Sequence, residues 1–407
     1  MKKPINRRSF LLNAGLASAG AALIPNSLAA QDTLNHQAFI SDEKSDIKIT
    51  QVRTYILHRA ILVKLETNIG ISGWGECSPN SPEVIEAFIH HTMKNFVVGQ
   101  DPFNVELIWD TLFWQNHDLG PAGALPYAIA GIDLALWDIK GKVLKQPVYK
   151  LLGGKYRKNM PAYGGFGVYG GTVSVDEATK KALKLAERGF KIVKLRMQIR
   201  EYNMDPIPDF TLKYYEAVRK ALPDDVELFV DPNEGYTAAR AIQIGKELQA
   251  MGMKYYESPC PLENHRDTAE VVKAMDIPVL AGEKCYTRWQ FRDLILEANP
   301  DIIQPDVIKS GGITEVKKIA ALGQTFFKSI APHNTKPTLG TAAMMHVMAS
   351  ISNAGPFIEF IEIEIYKEVM SVFENQVVFN DGKLEVPEGV GLGLVINEKR
   401  LEKLAKK

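Results

Sequence analysis

Between residues 160 and 365, seven short apolar, β-rich runs each close on a polar residue. These are Lys194 in "FKIVKLR", Asp231 in "ELFVDPN", Glu257 in "KYYESP", Glu283 in "IPVLAGEK", Asp306 in "DIIQPD", His333 in "KSIAPHN" and Glu359 in "PFIEFIE". Asp231, Glu257 and Glu283 follow one another in this order. Three carboxylates facing one cleft repel each other. A hard divalent cation resolves that repulsion, and Mg²⁺ fits because it keeps positions open for water or substrate oxygens. Asp306 and His333 come next. An imidazole takes up a proton near neutral pH, and a carboxylate on the preceding strand end can orient it. With Lys194 and Arg196 as fixed cations, the set suits removal of the weakly acidic proton α to a carboxylate, where an oxyanion develops. Each part alone has a plainer reading. Asp-Pro-Asn-Glu-Gly is good turn chemistry, single acids are common on surfaces, and a histidine can be purely structural.

The spacing favours the collective reading. Successive gaps between the seven residues are 37, 26, 26, 23, 27 and 26 positions, about one strand–helix unit each. Amphipathic stretches such as "DFTLKYYEAVRKAL" and "ARAIQIGKELQAMG" lie between the runs, with apolar residues at helical spacing. Alternating strand and helix at this period predicts an α/β fold with a parallel sheet, closed as a (β/α)8 barrel. In such a barrel the C-terminal strand ends meet at one mouth, so residues distant in sequence become neighbours.

At this point the chain resembles the enolase superfamily, specifically its mandelate racemase/muconate lactonizing branch. "LPYAIAGIDLALWDIKGKVLKQPVYKLLGG" (125–154) is similar to the junction between that family's N-terminal cap and barrel, and "DGKLEVPEGVGLGLVIN" (381–397) to its return to the cap. The resemblance implies an α+β capping domain at 46–150, a TIM-type barrel with the active site at 155–365, and a C-terminal tail at 366–407 that completes the cap. It implies one Mg²⁺ per site held by Asp231, Glu257 and Glu283, with Asn233 beside the first ligand. It makes His333 the acid/base oriented by Asp306, Glu359 a hydrogen-bonding acid, and Lys194 the first lysine of a Lys-x-Lys pair. Two positions depart from the pattern. Arg196 stands where the second lysine is usual, and arginine is a poor base but a good clamp for a carboxylate or hydroxyl. Ser258 stands where a second glutamate is frequent.

With one competent base face, two-base racemisation loses ground. The expectation is syn dehydration of a sugar acid to a 2-keto-3-deoxy acid. A cycloisomerase acting on an anhydro or lactone sugar acid is the close alternative, with a racemase or epimerase behind it. A non-catalytic periplasmic sugar-acid binding protein is the reading from another class. Substrate-reading residues are sought in His58 and Arg59 of "TYILHRAILV", Asn80 of "GECSPNSPEVIEAF" and Tyr169 of "YGGFGVYGG". The expected partner is a small-molecule carboxylate, and a homo-oligomer is expected.

Bulk composition limits the rest. Lys+Arg and Asp+Glu balance at 48 each in 407 residues, which argues against nucleic acid or an anionic membrane as partner. The first 30 residues have a basic start, a modestly apolar stretch from Phe10 to Ile24, and small residues ending in Ser27-Leu28-Ala29. That layout predicts a cleaved export signal. Arg7-Arg8 makes it similar to the twin-arginine type, with a polar leader at 31–45 and a periplasmic or otherwise exported mature protein. An uncleaved anchor is disfavoured by the weak apolarity, so no stable membrane insertion is expected after cleavage. Cys77, Cys260 and Cys285 show no zinc-type spacing. They read as packing residues, with Cys260–Cys285 the pair to bridge if any does.

Overall fold

The computed structural model describes residues 46–197, 204–361 and 366–405. The expected export signal (1–30) and leader (31–45) lie outside the described residues. Among those described, no helix is long and apolar enough to cross a membrane.

The chain first builds a three-stranded antiparallel sheet, β1 (Ile49–Leu57), β2 (Ala60–Thr67) and β3 (Ser72–Cys77). Helices α1 (Pro82–Ala87), α2 (Val105–Asn116), α3 (Ala124–Val143) and α4 (Val148–Leu151) follow. The 20-residue α3 is buried along almost its whole length, because it lies between the sheet and the barrel. Its fit against β3 depends on missing side chains. A Cβ on Gly75 would stand 1.9 Å from the Gly131 carbonyl oxygen, and one on Gly131 would stand 2.4 Å from Cys77 Sγ. Gly75→Ala should therefore cost about 3 kcal/mol, the upper end of the usual overpacking penalty, and appear as a lowered melting temperature.

The barrel is made of β4 (Asn159–Gly167), β5 (Ile192–Arg196), β6 (Glu227–Asp231), β7 (Tyr256–Glu257), β8 (Val279–Ala281), β9 (Ile302–Ile303), β10 (Ser329–Ile330) and β11 (Ile358–Glu359). β4 to β10 pair in parallel in chain order. β11 then returns to β4, pairing Ile358 with Ala162 and Glu359 with Tyr163. A parallel bridge from Ile330 to Ala354 joins β10 to the approach to β11, so the ring closes. The intervening helices are α5 (Val175–Glu187), α6 (Thr211–Ala221), α7 (Ala238–Ala250), α8 (His265–Ala274), α9 (Arg288–Asp293), α10 (Ile313–Thr325) and α11 (Leu339–Ser350). Ser174 and Thr237 cap α5 and α7 by accepting the amides of Glu177 and Arg240. Inside the barrel, Tyr163 meets Phe229 and Phe357 edge-on, each at 5.1 Å between ring centroids. This aromatic layer is the floor of the mouth.

The cap is fastened to the barrel by buried polar contacts as well as a shared apolar core. Trp109 Nε1 of α2 donates to the Gly311 carbonyl at 2.7 Å. The Thr314 amide, in the first turn of α10, donates to Asp133 Oδ2 of α3 at 3.1 Å. The tail then makes β12 (Phe379–Asn380), β13 (Lys383–Glu385) and, after them, the C-terminal α-helix Glu398–Ala405. β13 pairs antiparallel with the start of β4. Beyond it, the Leu392 amide donates to Asp138 Oδ1 at 2.9 Å, while Asp138 Oδ2 accepts the Trp74 amide at 2.9 Å. One carboxylate of α3 thus joins the tail to the cap sheet.

Candidate active site

Asp231 and Glu257 are the last residues of β6 and β7, and Glu283 lies two residues past β8. Gly282 makes the intervening turn at φ +114, a conformation suited to glycine, and a Cβ there would stand 2.9 Å from Phe291. All three acids are buried, and each offers an oxygen within 4.8 Å of the others. Asp231 Oδ2 and Glu257 Oε2 have no hydrogen-bond partner. Burial pushes both carboxyls above their ordinary range. Glu283 adds to this at Asp231, and Asp231, Glu359 and Glu283 add to it at Glu257, against the pull of Lys194. Unpaired buried carboxylate oxygens in an all-oxygen set fit a hard divalent cation, which would reverse that balance. Glu283 is already held below its usual range. Burial raises it, but His333, Lys309, Arg196 and Lys194 together outweigh that.

Lys194, on β5, has its ammonium 2.6 Å from Glu257 Oε1, 3.0 Å from Glu359 Oε1 and 3.3 Å from the Tyr163 hydroxyl. Burial disfavours its charge, yet Glu257, Glu359, Tyr163 and Asp231 hold its pKa well above the usual lysine value. It is a fixed cation. Arg196 ends the same strand, and its Nη2 donates to Asn233 Oδ1 at 2.9 Å. Asn233 in turn donates from Nδ2 to Glu283 Oε1 at 3.0 Å and from its backbone amide to Asp231 Oδ1 at 2.8 Å. To do so it adopts φ 56, with Glu234 next at φ 64, strain of the kind that collects at working sites. Arg196 Nε is buried without a hydrogen-bond partner, although 31% of the side chain is exposed.

Across the cluster, His333 Nδ1 lies 2.6 Å from Asp306 Oδ2, and the Ile308 amide donates to Asp306 Oδ1 at 2.9 Å. Burial pushes the Asp306 carboxyl up, but the His333 hydrogen bond and the charges of His333 and Lys309 bring it below its ordinary value. The carboxylate therefore accepts from Nδ1–H. Nε2 is then the ring nitrogen left facing the cluster, 3.6 Å from Glu283 Oε2. Glu359 accepts the Asn334 amide at 2.9 Å on its second oxygen.

Lys194, Arg196, Asp231, Asn233, Glu257, Glu283, Asp306, His333 and Glu359 thus meet in one network. The other substrate-reading candidates are placed differently. His58 and Arg59 form the two-residue turn between β1 and β2, exposed, with Arg59 at φ 73. Asn80 is exposed as well, and Tyr169 sits half-exposed at φ 47 just after β4. All four are exposed, and none takes part in the hydrogen bonds of the buried network. The three cysteines are free and buried, so Cys260 and Cys285 form no bridge. Sequence reasoning missed Tyr163, Asn334 and Lys309. It also missed the Glu234–Lys284 pair at 2.5 Å, although each of its members adjoins a residue already singled out.

Residues 37–153 match the family description "Mandelate racemase / muconate lactonizing enzyme, N-terminal domain", and residues 177–400 match "Enolase C-terminal domain-like". The chain belongs to the mandelate racemase/muconate lactonizing enzyme family. Within this family it is 32% identical to a D-galactarolactone cycloisomerase of Agrobacterium fabrum, over 87% of this chain and 98% of that one. It is also 32% identical to a D-galactonate dehydratase of Ralstonia pickettii, over 86% of this chain and 93% of that one. A mandelate racemase/muconate lactonizing protein of Paracoccus denitrificans, crystallised with magnesium, superposes with a TM-score of 0.83. Identity there is 31%, over 88% of this chain and 98% of that structure.

Proposed function

We propose that this enzyme removes the proton α to the carboxylate of a sugar acid in a Mg²⁺-dependent reaction, and that the outcome is dehydration to a 2-keto-3-deoxy acid. The observation that carries this reading is the His333–Asp306 pair aimed at the edge of the three-carboxylate cluster. Asp231, Glu257 and Glu283 would hold the cation, which supplies positive charge where the oxyanion develops. His333 Nε2 takes the α-proton, and the electrons of that C–H bond move into the carboxylate. The electron pair then returns to form the Cα=Cβ bond as the β C–O bond breaks. The β-hydroxyl takes the proton back from His333 and leaves as water, and the resulting enol converts to the 2-keto acid. Asp306 holds the ring and balances its transient charge. Lys194 and Arg196 add fixed positive charge, and Glu359 positions Lys194.

One specific observation keeps cycloisomerisation as the second reading. A cycloisomerase and a dehydratase are equally identical to this chain, and both outcomes are open to a single base. A sugar-acid library incubated with Mg²⁺ in D₂O decides between them. Formation of 2-keto acid supports dehydration, ring opening or closure without loss of water supports cycloisomerisation, and absence of any α-proton exchange overturns both.

Arg196 distinguishes this site from one with two bases. Arg196→Ala should raise KM about tenfold and lower kcat by about two orders of magnitude, because a charge-assisted hydrogen bond is lost. Slow α-proton exchange should remain measurable, since the base is untouched.

A further inference from the structure

The cap reaches into the catalytic machinery at one point that the chemistry above does not use. Glu76, the next-to-last residue of β3, is completely buried. Its Oε2 accepts the Thr338 hydroxyl at 2.6 Å and the Gly340 amide at 2.9 Å. Thr338 and Gly340 flank the start of α11, a helix buried throughout its 12 residues, whose N-cap side chain bonds none of its own amides. Helix starts carry unpaired amides and partial positive charge, so a carboxylate from another part of the chain caps this one. Only five positions separate His333 from Thr338. Two residues beyond Glu76, the Ser78 amide donates to the Ile308 carbonyl at 3.3 Å, and Ile308 is the residue whose own amide holds Asp306. The end of one cap strand therefore braces both loops of the His–Asp pair. Oε1 of Glu76 has no hydrogen-bond partner, so its placement rests on Thr338 and Gly340.

We propose that Glu76 is a positioning residue for the general base: through Thr338 and α11 it fixes the loop that carries His333 against Asp306. This inference rests on the proton-abstraction reading only for its kinetic consequence, because the placement of the ring can be read without substrate.

The test uses the full-length enzyme with MgCl₂, labelled with ¹⁵N-histidine, as wild type, E76Q, T338V and T338S. The His333 Nδ1–H resonance, identified by its loss in H333N, reports the hydrogen bond to Asp306. It should shift or broaden in E76Q and T338V and remain at the wild-type position in T338S, which keeps the hydroxyl. On the sugar acid converted in the screen, kcat should fall about ten- to hundredfold in E76Q, the loss expected when a base moves by a fraction of an ångström to an ångström, with KM within twofold. T338V, which removes only the hydroxyl contact, serves if E76Q does not fold. An unchanged His333 resonance in whichever variant folds overturns the proposal. So does a fall in kcat that T338S shares. If the resonance moves as expected but the wild type exchanges no α-proton from any sugar acid, Glu76 keeps its positioning role and the functional reading fails on its own.

Discussion

His333→Asn eliminates both turnover and exchange of the α-proton with solvent, while the enzyme still folds and still binds Mg²⁺. The prediction follows from the state of the other groups. Lys194 is surrounded by Glu257, Glu359 and Tyr163, and its pKa is held well above the usual lysine value. Arg196 has its pKa raised too, with Asp231 the foremost of the carboxylates that outweigh the effect of burial. Neither gives up a proton near neutral pH. Asparagine keeps much of the bulk of the ring and can still donate a hydrogen bond toward Asp306, so the loss reports on the base itself. General base catalysis is worth about two to four orders of magnitude on its own, and exchange should fall below detection because no second base faces the carbon. The measurement is deuterium incorporation in D₂O. Exchange that survives in H333N but vanishes in Arg196→Ala would move the base to the opposite face and remove the main support for dehydration.

The second large effect is at the carboxylates. Asp231→Asn, Glu257→Gln and Glu283→Gln should each lower kcat/KM by about a thousandfold or more. That equals several kcal/mol of lost charge stabilisation, at a factor of ten for each 1.36 kcal/mol. Calorimetry should show Mg²⁺ affinity falling in each, and EDTA should inactivate the wild type until Mg²⁺ is returned. Glu257→Gln should be the most damaging of the three, because it also removes the 2.6 Å partner of Lys194. Full activity in a metal-stripped preparation would refute the cation's role. Wild-type Mg²⁺ affinity in all three variants would refute the placement.

The strand-end residues were legible for a geometric reason. In a closed parallel barrel, the end of every strand reaches the same mouth, so phase within a repeat of about 26 positions predicts a place in space. Asp231, Glu257 and Glu359 end their strands, and Glu283, Asp306 and His333 fall two or three residues past them, as that logic requires. Glu76 obeys no such period. Its partners lie 262 and 264 positions away, and nothing in "WGEC" distinguishes a buried cap from an ordinary alternating strand. His58 and Arg59 are the exposed two-residue turn between β1 and β2, which pair up to Leu57 and Ala60, and such a turn has no strand-end phase to give its side chains a place in the barrel. Tyr163 was hidden because a tyrosine in an apolar strand reads as core. It is core, but its hydroxyl also meets Lys194.

Asp138 has a consequence for how the chain is made. The amide that completes it, from Leu392, is synthesised 254 residues later, roughly 13 to 50 s later at ordinary translation rates of 5–20 residues per second. Until then, among the described residues, Trp74 and Lys142 hold the α3 carboxylate. The cap, made before the barrel, is therefore completed after it. A chain that stops short of Leu392 lacks the amide for this carboxylate, so an early acid is left waiting for a late partner.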